Sequence, residues 1–234
     1  MSRKFRVLAV FLTIIIVVCG AVPAFADSFE ETLRKARRGN AQAQYELGRM
    51  CDEGEIVDQN SNEAVKWYRQ AAQQGHAGAQ FYLGVAYYEG WGVRPDYSEA
   101  VKWHRKAAQQ GFAGSQYNLG VMYDKGEGVR QNYSEAVKWY RKAAKQGHIH
   151  AQCNLGIMYY KGEGVRQNYA EAIRWYRQAA EQGDAKAQYN LGYMYHKGEG
   201  VRPNYSEAVK WLRMAARQGQ INAQTLLTQL GETW

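Results

Sequence analysis

The side chains with the most chemical potential are serines followed closely by lysine. Ser98-Glu99-Ala100-Val101-Lys102 recurs in the same arrangement at Ser134 and Ser206. Serine acyl transfer of the Ser-x-x-Lys kind needs the lysine three residues on, together with S-D-N and K-T-G elements. Here the lysine is four residues on and the other two motifs are absent, so these serines read as residues of a helix-capping turn. The histidines offer one close pair, His148-Ile149-His150, with no third ligand near in sequence, and no metal site is expected. Asn132-Tyr133-Ser134 and Asn204-Tyr205-Ser206 match glycosylation acceptors, but both coincide with helix starts and read as caps. Cys51 and Cys153 are separated by three structural units. Packed helices lie about 8–10 Å apart, so the pair exceeds the roughly 7 Å Cα limit for a disulfide. Two buried thiols are expected.

What must position these residues begins after a leader. The chain has 234 residues and opens with a basic start, Arg3, Lys4 and Arg6, followed by an unbroken apolar run over residues 7–22. Ala24 and Ala26 fit the A-x-A pattern of a secretory signal peptide, which predicts cleavage after Ala26 and a periplasmic or secreted protein. The run is shorter than the roughly 20 residues that a spanning helix needs, which disfavours a retained anchor. Val18 before Cys19 disfavours a lipoprotein. Membrane contact is thus expected only through the transient leader. Its removal lowers the formal net charge from +8 to about +5. That mild balance, together with export, argues against a nucleic-acid binder.

From there the sequence repeats every 36 residues without insertion or deletion, and such a period is the sequence mark of a stacked repeat array. Full units occupy 41–76, 77–112, 113–148, 149–184 and 185–220. Each carries the frame A-x-A-Q-Y-x-L-G-x-M-Y-x-x-G-x-G-V, then N-Y-S-E-A-V-K-W-Y-R-x-A-A-x-Q-G. Residues 27–40 read as an N-terminal capping half-repeat, with Ala36 and Gly39 falling on Ala72 and Gly75. Residues 221–234 read as a C-terminal capping helix. Two helices per unit are predicted, the first exemplified by 113–124 and the second opened by an Asn132/Glu135 capping box and closed at Gly147. Gly48, Gly84, Gly120, Gly156 and Gly192 sit inside first helices at a cost of about 1 kcal/mol each relative to Ala. That cost predicts a backbone passing close by, with Ala-Ala pairs such as Ala143-Ala144 as the receiving surface. Trp67, Trp103, Trp139, Trp175 and Trp211 supply bulk that one unit cannot bury alone. Lys102, Arg105, Lys138 and Arg141 read as a solvated face. The expected fold is all-α, a right-handed α-solenoid of helix-turn-helix repeats.

The frame resembles the Sel-one-like repeat family, a relative of the tetratricopeptide repeat, over residues 41–220. The match rests on A-x-A-Q-x-x-L-G-x-x-Y, G-x-G-V and E-A-V-K-W-Y-R-x-A-A-x-Q-G. Unit one departs from it at Ile56, Asp58 and Ser61. The resemblance implies a scaffold or adaptor that presents helix surfaces to other proteins. Its secreted bacterial members are similar to proteins that contact host factors or organise envelope and polysaccharide complexes. A cysteine-rich branch is associated with penicillin binding and β-lactamase activity, but its paired cysteines are missing here.

If agreement between units specifies shape, recognition belongs where units differ. The first helices differ at positions 2, 6, 9 and 12. Position 6 reads Glu46, Tyr82, Asn118, Asn154, Asn190, and position 9 reads Arg49, Val85, Val121, Ile157, Tyr193. Position 12 reads Asp52, Tyr88, Asp124, Tyr160, His196. Steps of three put them on one helix face, expected to be the concave one. From repeat two onward these residues, with Trp91 in the loop, are the predicted partner-binding set. Its Tyr, Asn and aliphatic mixture suits a protein or peptide partner. The expectation is a monomeric, exported adaptor without catalysis or cofactor. An envelope assembly factor that touches glycan or peptidoglycan, or a β-lactam hydrolase, are the alternatives.

Overall fold

In a computed structural model, residues 23–54 and 60–234 are described, with side chains from Phe29 onward. Residues 1–22 of the predicted leader, and Ile56 and Asp58 of the first loop, lie outside them. The described residues form twelve α-helices and no strand. A first helix, α1 (Pro23–Arg37), precedes five hairpins. These are α2 (Ala41–Glu53) with α3 (Ser61–Gln73), α4 (Ala77–Glu89) with α5 (Tyr97–Gln109), and α6 (Ala113–Lys125) with α7 (Tyr133–Lys145). They continue as α8 (Ile149–Lys161) with α9 (Tyr169–Glu181) and α10 (Ala185–Lys197) with α11 (Tyr205–Arg217), and α12 (Ile221–Gln229) closes the stack. Each helix packs on the one before it and the one after it, so chain order is stacking order. The architecture is an all-α solenoid.

Caps fix the helix ends. Asn132 Oδ1 accepts from the Glu135 N–H at 3.1 Å, and Asp96, Asn168 and Asn204 do the same for Glu99, Glu171 and Glu207. The reciprocal half of the predicted capping box is not made. The Asn132 N–H is already taken by the Tyr123 carbonyl at 2.8 Å, and the Glu135 carboxylate turns to Lys138 at 2.6 Å. Gly126 ends α6 at φ +78°, and Gly128 follows at φ +69°, both in the left-handed region that favours glycine. A Cβ on Gly128 would also overlap the Tyr97 carbonyl of the preceding repeat, so this loop glycine is where two backbones meet.

The mid-helix glycines meet something else. A Cβ at Gly48, Gly120 or Gly156 would enter the ring of Tyr68, Tyr140 or Tyr176, and one at Gly84 would lie 2.7 Å from the His104 ring. The expected backbone approach over Ala-Ala pairs is thus corrected. A ring from the second helix of the same unit lies across each glycine, because only a residue without a side chain leaves room for it. Gly192 differs again, facing Leu212 at 2.9 Å and the Ala208 carbonyl at 3.0 Å. The tryptophans join neighbouring units, Trp175 packing in one cluster with Val137 and Tyr140 of the unit before and Leu155 of its own. Trp175 and Trp211 are buried and the other three half-buried.

Polar bonds run along the same axis. Gln116 Nε2 donates to the Ala108 carbonyl at 3.1 Å, and Gln116 Oε1 accepts from Gln146 Nε2 at 2.8 Å. Gln80, Gln152 and Gln188 repeat this pattern, adding a second donor to helix-end carbonyls that also accept from the closing glycine N–H. Arg105 and Arg141, expected on a solvated face, are half-buried instead. Each donates to a tyrosine hydroxyl of the next repeat, Tyr123 at 2.9 Å and Tyr159 at 2.8 Å. Their guanidinium forks reach across the unit boundary, whereas Lys102 and Lys138 remain exposed beside Glu99 and Glu135.

Candidate functional site

The twelve candidate residues on the first helices share one degree of exposure. From Tyr82 to His196, all of positions 6, 9 and 12 in repeats two to five are half-buried. They form a strip whose inner edges rest on the core while their outer edges meet solvent. Tyr82 stacks on Tyr68 at 5.2 Å, and Val121 leans on the cluster that contains Leu155 and Met158. Ile157 and Tyr160 rest on the cluster of Cys153, Tyr176 and Leu191. Val85 lies between Tyr82 and Tyr88 on the same strip.

Several of these groups are engaged within the chain. Tyr88 donates to Glu127 at 2.6 Å across a repeat boundary, and partial burial with that carboxylate raises its pKa. Tyr160 likewise meets Glu199, burial and the carboxylate pushing its hydroxyl up to about 12. Asp124 accepts from the Tyr140 hydroxyl at 3.3 Å, and burial raises its pKa. The Asn154 side chain reaches the hydroxyls of Tyr117 and Tyr140. Asn118 donates to His104 Nε2 at 3.3 Å. At the far end the strip opens: Tyr160, Tyr176, Tyr189, Asn190, Tyr193 and Met194 line a depression of about 190 Å³. Lys197 lies 5.9 Å from the Tyr193 ring centroid, and His196 is one turn of helix further along the strip. Trp91 stands apart on its loop, 51% exposed.

Several of the groups considered for catalysis take part in structure. Ser134 donates to the Gly164 carbonyl at 3.3 Å, and the lysine after it is bound to Glu135. His148 Nδ1 accepts from the Ala151 N–H as a helix cap, and His150 faces Asp184 at 3.2 Å. Among the described residues no cluster of three His, Cys, Asp or Glu could hold a metal ion. Cys51 and Cys153 are buried free thiols, which burial pushes up to about 11 and about 12, so neither is a ready nucleophile.

One polar site escaped the sequence reading. His104 is buried in the position that Tyr140 and Tyr176 fill elsewhere, with Nδ1 3.3 Å from the buried hydroxyl of Ser115. Desolvation lowers its pKa to about 4, so it is neutral. The paired departures, His for Tyr and Ser for Ala eleven residues on, were the available signal. A second missed pattern joins position 5 to the residue before the next first helix: Tyr117 stacks on His148 at 4.6 Å, and Phe81 meets Phe112 in a tilted pair at 4.9 Å. These positions also vary together.

Comparison with known proteins reproduces the repeat boundaries. A family model described as Sel1 repeat matches residues 41–76, 77–112, 113–148, 149–184 and 185–220. A protective antigen present in uropathogenic Escherichia coli strains, displaying an SLR fold, superposes with a TM-score of 0.84 at 40% identity. That match covers 88% of this chain and 44% of the antigen, so the chain spans less than half of that protein's length. A Sel1 repeat protein from Oxalobacter formigenes gives 0.75 at 39% identity, over 81% of this chain and 75% of its own. An immunity protein from Pseudomonas aeruginosa gives 0.50 at 26% identity, over 78% and 67%. No curated protein matches. Sel1-repeat proteins generally mediate protein–protein interaction and are typically non-enzymatic. With five tandem matches that fall on the same glycines, caps and tryptophans that build the stack, the chain belongs to the Sel1-repeat family.

Proposed function

We propose that this protein is an exported adaptor that binds a protein or peptide partner along the exposed strip of its first helices. The observation that carries the reading is a division of labour within each unit. Residues that agree between repeats make the caps, loops and buried contacts, while the half-buried strip changes from Tyr82-Val85-Tyr88 to Asn118-Val121-Asp124 and then to Asn190-Tyr193-His196. Half-buried tyrosines anchored at one end are suited to contact, since they offer large area with little side-chain freedom left to lose. The depression between Tyr160 and Tyr193 is the natural seat for one partner side chain. Export rests on the leader alone, a basic start, an apolar run and an A-x-A site.

The test is crosslinking in the native organism followed by mass spectrometry, comparing the natural chain with an Asn190→Ala/Tyr193→Ala variant and a Tyr82→Ala/Tyr88→Ala variant. Loss of the captured partner at unchanged helicity is expected. Full retention by both variants would remove the strip from consideration. Intact-mass analysis of envelope material should find a chain that starts at Asp27, and a full-length species held in the inner membrane would overturn cleavage.

A further inference from the structure

Helix packing and the strip leave one periodic feature unused. The loop residue after the half-buried valine is arginine in four consecutive repeats, Arg94, Arg130, Arg166 and Arg202. All four are exposed, and among the described residues none of them makes a hydrogen bond or ion pair. The neighbouring charges behave differently. Lys125 meets Glu127 at 3.6 Å and Lys161 meets Glu163 at 3.5 Å, while Lys102 and Lys138 are held by Glu99 and Glu135. Along the edge of repeats three and four the arginine is therefore the uncompensated charge, whereas in repeat two Glu89 and Asp96 flank Arg94.

The arginines are also held in register. Val93, Val129, Val165 and Val201 pack into successive core clusters, and each pins the residue that follows it. Arg130 borders an open depression of about 590 Å³ shared with Tyr123, Gln131 and Asn132. Two residues on, Asn132, Asn168 and Asn204 spend their Oδ1 atoms on helix caps, which leaves their exposed Nδ2 groups as donors. Tyr97, Tyr133 and Tyr205 come next, exposed at 47%, 37% and 51%. The edge thus offers a guanidinium in all four repeats, an amide donor in the last three, where repeat two has Asp96 instead, and an exposed ring in three, Tyr169 being half-buried.

We propose that this loop edge is a docking surface for an extended acidic polypeptide segment with a carboxylate at about every third residue. The loop of each repeat packs on the second-helix start of the repeat before it, Gly128 on Tyr97 and Gly164 on Tyr133, which sets neighbouring loops on the order of 10 Å apart. A polyproline II chain has three residues per turn at about 3.1 Å each, so it returns to one face after about 9 Å. One carboxylate per turn then meets one arginine per repeat, with the fork geometry that guanidinium and carboxylate share. The peptide's free backbone carbonyls match the asparagine donors. A glycan brings hydroxyl donors as well, whereas the cap oxygens of Asn132, Asn168 and Asn204 and the carboxylates of Glu127 and Glu163 are already engaged. A membrane rewards a broad basic field, whereas here Lys125 and Lys161 are paired with Glu127 and Glu163 and the arginines stand in a single file. This surface stands independently of the first-helix strip.

The experiment is fluorescence anisotropy of the chain with a labelled twelve-residue peptide of Glu-Pro-Pro triplets, against an isomer with its four glutamates clustered at one end. The triplet peptide should bind at least about tenfold tighter than the isomer and weaken with salt. Each single Arg→Gln change should cost about threefold, the size of an exposed ion pair, and the quadruple variant roughly 80-fold if the sites add. The quadruple variant should melt like the natural chain, because these side chains touch nothing that folds it. Equal binding of the two isomers, or a quadruple variant that binds as before, overturns the proposal. So does arginine-dependent binding of polygalacturonate or phosphatidylglycerol vesicles when the peptide fails to bind.

Discussion

Repeats two and three, residues 77–112 and 113–148, are consecutive copies of one plan that bury different chemistry at its centre. In repeat three the Tyr140 ring lies over Gly120 and its hydroxyl reaches Asp124 at the edge of the strip. In repeat two the shorter His104 lies over Gly84 and makes no bond at the strip edge. It turns instead to Ser115 and Asn118 in the next repeat. One plan therefore tolerates a polar core residue, provided the following unit supplies the partners. The lesson is that the unit of design here is the boundary between repeats, since each repeat's substitutions are answered in its neighbour.

The contrast should be largest in acid. His104 is neutral when folded because burial holds its pKa near 4, whereas an unfolded histidine titrates near 6.5. Above pH 6.5 both states are neutral and the residue contributes no pH dependence. As the pH falls from 6.5 towards 4 only the unfolded chain takes up the proton, so stability is lost across that window, by up to about 3 kcal/mol. A His104→Tyr/Ser115→Ala variant, which gives repeat two the side chains of repeats three and four, should lack this loss. Urea unfolding at pH 7 and pH 4.5 checks it. Parallel pH profiles for the two proteins would mean that His104 is solvated in a way the packing does not allow.

A smaller effect should separate the two glycines. Alanine in a helix gains about 1 kcal/mol over glycine, but overpacking costs about 1–3 kcal/mol. Gly120→Ala must displace a buried tyrosine ring anchored at its hydroxyl and should cost about 2 kcal/mol net. Gly84→Ala meets a smaller ring at 2.7 Å and should cost about half as much. Adding Tyr140→Leu to Gly120→Ala should recover part of the loss, since Leu212 already lies opposite Gly192. Hydrogen exchange within each repeat reads these costs locally, as a stack of semi-independent units requires. Equal costs at the two glycines would mean that ring size is not what they accommodate.

What could be read from the sequence follows the range of the interaction. The 36-residue period, the Asn132 cap and the Gly126 turn are local, and a single repeat reveals them. The failures lie at the boundaries. Glu135 looked like half of a capping box because sequence does not show that the preceding hairpin already occupies the Asn132 N–H. Arg141 looked solvated because its partner Tyr159 is eighteen residues away on the next unit. Gln116, identical in every unit, was legible as important but not as the bond that closes the preceding helix. The strip was found through variation, yet variation did not distinguish Asn118 and Asn154, which serve neighbouring side chains, from Asn190, which lines an open depression. Comparing positions in pairs across adjacent units, His104 with Ser115 or Tyr117 with His148, would have separated compensation from recognition.

The smallest prediction concerns what the two repeats share. Arg105 donates to Tyr123 at 2.9 Å and Arg141 to Tyr159 at 2.8 Å, both half-buried and both crossing a boundary. If boundaries are the repeating unit of stability, Arg105→Gln and Arg141→Gln should cost the same, about 1 kcal/mol each, the net worth of a hydrogen bond to a charged donor at partial burial. The two sites lie one repeat apart and share no partner, so the double variant should cost their sum. Equality would show that the His104 exception is sealed within its own contacts. A clearly larger cost for Arg105→Gln would show instead that the boundary containing His104 and Ser115 is the weaker one, and that the stack opens there first.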